Sequence, residues 1–235
     1  FKRKVSWWGG DPCSLVTGRH SDFHYGADLG DYFTKSFILC PYTVKWLNEY
    51  HHREKYELAI IPYNADDIPD REYEKEFDAI YWGGIHNVDH MKILDAIGGF
   101  NSNFYTIHPA HWNAWNDGVM TSSGRDKYLK QLTGILAPRR ELWETLRKTK
   151  VMPMANILPL REVHRQNLNF IPDWRNNEAF SHADELIAPQ MKTRAVEAAF
   201  NKTLSLVKRD PWNVIENWFE PDVDFIYFDR YEDLP

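Results

Sequence analysis

Arg194 and Glu197 stand three residues apart in the stretch Lys192-Thr193-Arg194-Ala195-Val196-Glu197-Ala198-Ala199. The apolar run Leu186, Ile187, Ala188 precedes it and a second run, Leu204 to Val207, follows. Strand, helix, strand is the simplest reading, and the i,i+3 spacing puts both charges on one helix face. A guanidinium and a carboxylate near a helix N-terminus, at the carboxyl edge of a parallel sheet, suit a nucleotide. The Arg would meet phosphate and the Glu would accept hydrogen bonds from ribose hydroxyls. The same pair also reads as an exposed ion pair on an ordinary helix. Gly83-Gly84 follows the strand-like run Phe77 to Trp82. It is either a place where backbone approaches a phosphate, since no Cβ obstructs it, or a plain tight turn. His86, just after it, is either a contact to phosphate or sugar or a polar loop residue.

Other chemistries find less support. The chain has 10 histidines, and His20/His24, His86/His90 and His108/His111 are spaced for a shared helix face. A zinc site needs three or four ligands, and no Cys pair or His-Glu-x-x-His accompanies them, so no metal site is expected. Asp66-Asp67 resembles an acidic metal dyad but lies in a polar stretch after Pro62, where solvated turn residues are the expectation. There is no Gly-x-x-x-x-Gly-Lys-Ser/Thr loop and no Gly-x-Ser-x-Gly elbow.

The elements that must position these residues alternate between β and α. Residues 4 to 8 read as a short strand ending at Gly9-Gly10-Asp11-Pro12. An apolar run in residues 31 to 40 precedes a helix from Pro41 to Tyr50, and Leu58 to Ile61 reads as a strand. Residues 66–75 are the expected linker, acidic and carrying Pro69. A new unit then opens with a strand at 77–82, a helix at 88–97 and a strand at 103–107. Helices are expected at 128–136 and 140–146. Residues 151 to 183, with Pro153, Pro159 and Pro172, read as irregular. The expected organisation is therefore α/β with two doubly wound units: a partial unit over 1–65 and a second over 76–235.

Composition bounds the rest. At 43% hydrophobic and 15% aromatic residues the 235-residue chain has ample material for packed cores. No apolar stretch approaches the roughly 20 residues a membrane span requires. Cys13 and Cys40 make no disulfide framework, and a reducing cytoplasm is the expected location. The net charge of −6 argues against a general nucleic-acid binder. The charge is uneven: residues 125–150 hold eight Lys/Arg against three acids, while the segment after Asp210 is acidic. Such a basic run is either a solvated face or a surface for a phosphate-rich acceptor.

Taken in order, Trp7-Trp8-Gly9-Gly10-Asp11-Pro12, Asp78-Ala79-Ile80-Tyr81-Trp82-Gly83-Gly84 and Lys192 to Ala199, with Trp218-Phe219-Glu220-Pro221 behind, the chain resembles the two-domain glycosyltransferases of the GT-B architecture. It is most similar to the branch holding phage DNA β-glucosyltransferases and bacterial spore-protein-type glycosyltransferases. Against that pattern the first N-terminal elements and a closing C-terminal helix are missing, and residues 110 to 183 match poorly. Pro189 stands where many such enzymes carry a first glutamate, which disfavours the retaining members.

The resemblance implies an inverting, metal-independent transfer from a nucleotide-diphosphate sugar, UDP-sugar being the expected donor, with no further cofactor. Glu197 would hold the ribose and Arg194 the pyrophosphate. Gly83 and Gly84 would let backbone approach the phosphates, His86 and Lys192 would assist, and Asp11 would be the general base, or else an ordinary turn residue before Pro12. The acceptor is a hydroxyl, either of a hydroxymethylated base in phage DNA, reached through residues 125–150, or of a glycan or protein. If the source is viral the location is the host cytoplasm. Two other classes stay open: a nucleotide-sugar-fold binding module without turnover, and a sugar-nucleotide epimerase.

Overall fold

The computed structural model describes residues 5–7, 34–51, 54–60, 63–135, 137–160, 174–178, 182 and 186–234. The chain divides into two compact units, residues 1–62 with 156–193 and 210–217, and residues 63–155 with 194–209 and 218–235. The sequence reading set one boundary in the 66–75 stretch. Segments 156–193 and 210–217, which it assigned to the C-terminal domain, group instead with the N-terminal residues.

The first unit opens with a parallel sheet of β1 (Val5–Trp7), β2 (Lys35–Ile38) and β3 (Tyr56–Leu58), in that order, with helix α1 (Pro41–His51) between β2 and β3. Pro41 suits the first helical position because its missing N–H would have had no intrahelical partner. The helix buries Trp46 and Leu47 against Ile38 and Tyr56. Asn48 ties the helix to β3: its Oδ1 accepts from the Lys55 and Tyr56 amides at 3.0 Å, and its Nδ2 donates to the Tyr56 carbonyl at 2.9 Å.

The second unit carries β4 (Phe77–Trp82), α2 (Val88–Ile97), β5 (Ser102–Thr106), the short α3 (Asn113–Asn116), α4 (Ser122–Gln131), β6 (Gly134–Ile135), α5 (Arg139–Arg147) and β7 (Thr149–Ala155). The chain returns to the first unit for an antiparallel pair, β8 (Ile157–Pro159) and β9 (Ile187–Pro189). It then completes the second unit with α6 (Thr193–Phe200), β10 (Leu204–Lys208) and β11 (Phe225–Phe228). The large sheet has six parallel strands in the order β11-β10-β7-β4-β5-β6. The chain moves outward from β4 through β5 to β6, then crosses to β7 and moves outward the other way. This is a Rossmann-like winding, and right-handed crossovers put α2 and α4 on one face and α5 and α6 on the other. Packing agrees: Ile93, Leu94 and Ile97 of α2 share a core with Tyr128 of α4. On the other side Arg147 of α5 donates to the Phe200 carbonyl of α6 at 3.4 Å.

Ala79, Ile80 and Tyr81 are all buried, as expected of a central strand covered on both faces. Helix α2 starts at Val88 because the Asn87 side chain, in extended backbone, accepts from the His90 amide at 3.0 Å. Helix α4 is shifted from the expected 128–136. Thr121 caps it by accepting from the Gly124 amide, and after Gln131 the chain turns to pair Gly134 with Tyr105 as β6. The greatest departure is β7, a central strand in a stretch that reads as irregular. Pro153 contributes no N–H, yet it sits in register with Leu206 of β10 between the fully buried Met152 and Met154. Burial on both faces outweighs the lost ladder bond. β7 pairs with β4 at Phe77↔Thr149 and Ala79↔Val151, and no register partner is described beyond that point. Pro153, without an N–H, cannot donate the next ladder bond toward β4.

Lys75 closes the opposite end of this unit. Its ammonium donates to the carbonyls of Arg147 (2.9 Å), Thr149 (2.8 Å) and Lys202 (2.8 Å), at the end of α5, the start of β7 and just past α6. Lys75→Met keeps the aliphatic stem and removes all three bonds. The urea midpoint should fall by the equivalent of about 1–2 kcal/mol, the scale of charge-assisted bonds partly screened by solvent. An unchanged midpoint would show that the clasp contributes nothing.

Candidate functional site

β4 ends at Trp82, and the Gly83 amide extends its pairing by donating to the Tyr105 carbonyl at 2.9 Å. That N–H is therefore already committed. The value of the glycine lies in its missing side chain: a Cβ here would stand 2.6 Å from Arg194 Nη2 and 3.0 Å from its Cζ. With φ at +131°, Gly83 also holds a backbone conformation that L side chains rarely adopt. Gly84 is filled the same way from the other direction, since its Cβ would meet the His86 ring at 2.5 Å. The turn after β4 is thus packed by a guanidinium and an imidazole.

Arg194 is held from below. Its Cζ lies 5.0 Å from the Tyr81 ring centroid, a cation–π arrangement. The Tyr81 hydroxyl donates to the Gly84 carbonyl at 2.9 Å. Tyr81 is completely buried, and burial, only partly offset by Arg194, raises its phenol above the usual range. The His86 amide donates to His90 Nδ1 at 3.1 Å, and the two imidazoles meet edge to face at 5.7 Å.

Further along α6, Glu197 faces a second cluster. The Tyr63 hydroxyl donates to Glu197 Oε1 at 3.2 Å. Tyr63 is wedged between Trp143 (5.4 Å between centroids) and Phe200 (5.6 Å), with the Arg139 guanidinium 5.8 Å above its ring. Glu197 Oε2 is buried and has no hydrogen-bond partner among the described residues. Burial pushes the carboxyl above its ordinary value of 4.5; the Tyr63 bond and the charges of Arg194 and Arg139 pull the other way. A buried carboxylate oxygen without a hydrogen-bond partner is costly to keep.

No family model and no curated protein matches this chain.

Of the residues singled out in the sequence, Gly83, Gly84, His86 and Arg194 converge on one turn, and Glu197 follows one helical turn after Arg194. The strand read before α6 behaves differently from expectation: β9 pairs antiparallel with β8 in the first unit and is not part of the parallel sheet. Lys192 also belongs to the first unit, where its amide donates to Asn156 Oδ1 at 3.1 Å and its ammonium to Gln190 Oε1. Asp11 lies outside the described residues. Among the described residues no group of three or more His, Cys, Asp or Glu gathers as a metal site, and no helix is long and apolar enough to cross a membrane.

The basic segment is largely committed internally. Lys127 pairs with Asp95, Arg140 with Glu144, Lys148 with Glu76 and Lys150 with Asp78. Arg125 lies over the Trp115 ring, Arg139 over Tyr63, and Arg147 is buried. Two contributors escaped the sequence reading. Tyr81 looked like one more apolar strand residue, and Tyr63 stood just before the expected linker with no pattern to mark it. The one local signal is that Tyr81, two before Gly83, lies on the same face of the strand as that glycine.

Proposed function

We propose that the second unit binds the diphosphate and ribose of a nucleotide-sugar donor at the carboxyl end of β4, and that the protein transfers the sugar to an acceptor hydroxyl. The observation that supports this reading most directly is Arg194, fixed over Gly83 where the winding reverses, with the open oxygen of Glu197 one turn further along the same helix. A planar guanidinium suits pyrophosphate oxygens, and a carboxylate suits a ribose diol. UDP-sugar is the donor we favour. In this scheme the acceptor oxygen attacks the anomeric carbon and the bond to the diphosphate breaks. The acceptor proton passes to Asp11, and the configuration inverts. The negative charge gathering on the departing diphosphate is met by Arg194 and the amino end of α6, so the scheme requires no metal. The acceptor hydroxyl belongs to a hydroxymethylated base in DNA or to a glycan or protein.

Calorimetry with UDP and uridine tests the binding step. Wild type should bind UDP more tightly than uridine. Arg194→Ala should weaken UDP by about 1.5–3 kcal/mol, the scale of hydrogen bonds to a charged group, and leave uridine nearly unchanged. Equal affinity of wild type for UDP and uridine would remove the diphosphate site. UDP binding without release of UDP from any UDP-sugar and acceptor pair would identify a binding module instead of a transferase.

A further inference from the structure

We propose that Tyr81 is a positioning residue that presets Arg194 for the diphosphate, an inference that rests on the nucleotide reading above. Its ring lies under the guanidinium at 5.0 Å, and its hydroxyl donates to the Gly84 carbonyl at 2.9 Å. One buried side chain thereby touches both the arginine fork that would meet the phosphates and the glycine turn on which that fork packs. Burial raises the phenol above its usual range, so the hydroxyl keeps the proton it donates to Gly84. The empty side of Gly83 completes the device, because a side chain there would occupy the volume the guanidinium fills.

A free arginine side chain loses rotamer entropy when it orders on a ligand, and an arginine ordered in advance does not. Tyr81 should therefore act on ligands that carry phosphate and be silent toward those that lack it. A purely structural tyrosine would change stability and weaken all ligands alike.

The test compares wild type, Tyr81→Phe, Tyr81→Leu, Arg194→Ala and the Tyr81→Leu/Arg194→Ala double variant, titrated with UDP and with uridine. Tyr81→Phe, which keeps the ring, should bind UDP within about threefold of wild type. Tyr81→Leu should weaken UDP roughly 5- to 30-fold, the effect of one to two kcal/mol, and uridine less than twofold. In the Arg194→Ala background the same change should have almost no further effect. Equal weakening of UDP and uridine, or full additivity in the double variant, would overturn the proposal. A ligand-independent readout separates it from the nucleotide reading. The Arg194 Nε–H resonance should be sharp and shifted by the Tyr81 ring in wild type, and should broaden or move toward the free-arginine position in Tyr81→Leu. If wild type ignores UDP while that resonance responds, the nucleotide reading fails and the positioning contact stands. If the resonance is unchanged by Tyr81→Leu, the positioning role fails whatever UDP does.

Discussion

Gly83→Ala should abolish most UDP affinity and destabilise the second unit at the same time. Two independent costs meet at this residue. At φ +131° an alanine carries backbone strain of about 1–3 kcal/mol whatever space surrounds it. Its methyl would also stand 2.6 Å from Arg194 Nη2, so the guanidinium must leave its seat on Tyr81. A flexible side chain can swing away at modest cost to the fold, so the second penalty falls mainly on binding. UDP affinity should drop by more than tenfold, and the urea midpoint should fall by the equivalent of the strain. Gly99→Ala is the control, because a methyl there meets nothing within 4 Å, and both measurements should stay near wild type. Should Gly83→Ala retain wild-type affinity and stability, Arg194 does not occupy the turn.

Glu197 should show the opposite signs in binding and stability. Glu197→Ala is expected to weaken UDP by about 1–3 kcal/mol, as a charged acceptor lost to ribose would. Glu197→Gln keeps an oxygen for Tyr63 and removes the charge that burial penalises. Because burial raises the folded-state pKa above 4.5, the folded protein holds this proton more tightly than the unfolded chain does. Wild-type stability therefore declines as pH rises from the ordinary glutamate range through the raised folded value. Glu197→Gln should escape that decline. It should be more stable than wild type near neutral pH and equal to it below about pH 4, where the carboxyl is protonated in both states. Urea unfolding at a series of pH values checks this. A glutamine variant less stable than wild type at neutral pH would mean that the carboxylate is an ordinary structural partner. A site that weakens the fold to keep an acceptor open is the expected signature of ligand binding.

Much of the scaffold could be read from local pattern. β4 shows as an apolar run closed by Gly83-Gly84, and α2 as a 3.6-residue periodicity beginning after the capping Asn87. These signals are local because they come from burial of a face and from hydrogen bonds within a few residues. β7 could not be read so, since Pro153 argues against a central strand unless neighbours on both sides supply the burial. Nor could β9 be assigned to its partner, because a three-residue strand pairs with whatever edge tertiary packing presents.

Local pattern is enough to align Arg194 with Glu197, because residues three apart lie on one face of any helix they share. It is also enough to place a glycine turn at the end of the first strand of the second unit. Packing, by contrast, is what seats the guanidinium in the space a Gly83 side chain would occupy. Packing also lays Tyr81 beneath that guanidinium and brings Tyr63 to one oxygen of Glu197, with the other left without a partner among the described residues. Such contacts join residues far apart in the chain, and the winding of the sheet brings them together. No periodicity carries that information, because side chains distant in sequence are matched by shape and charge only once the layers have packed.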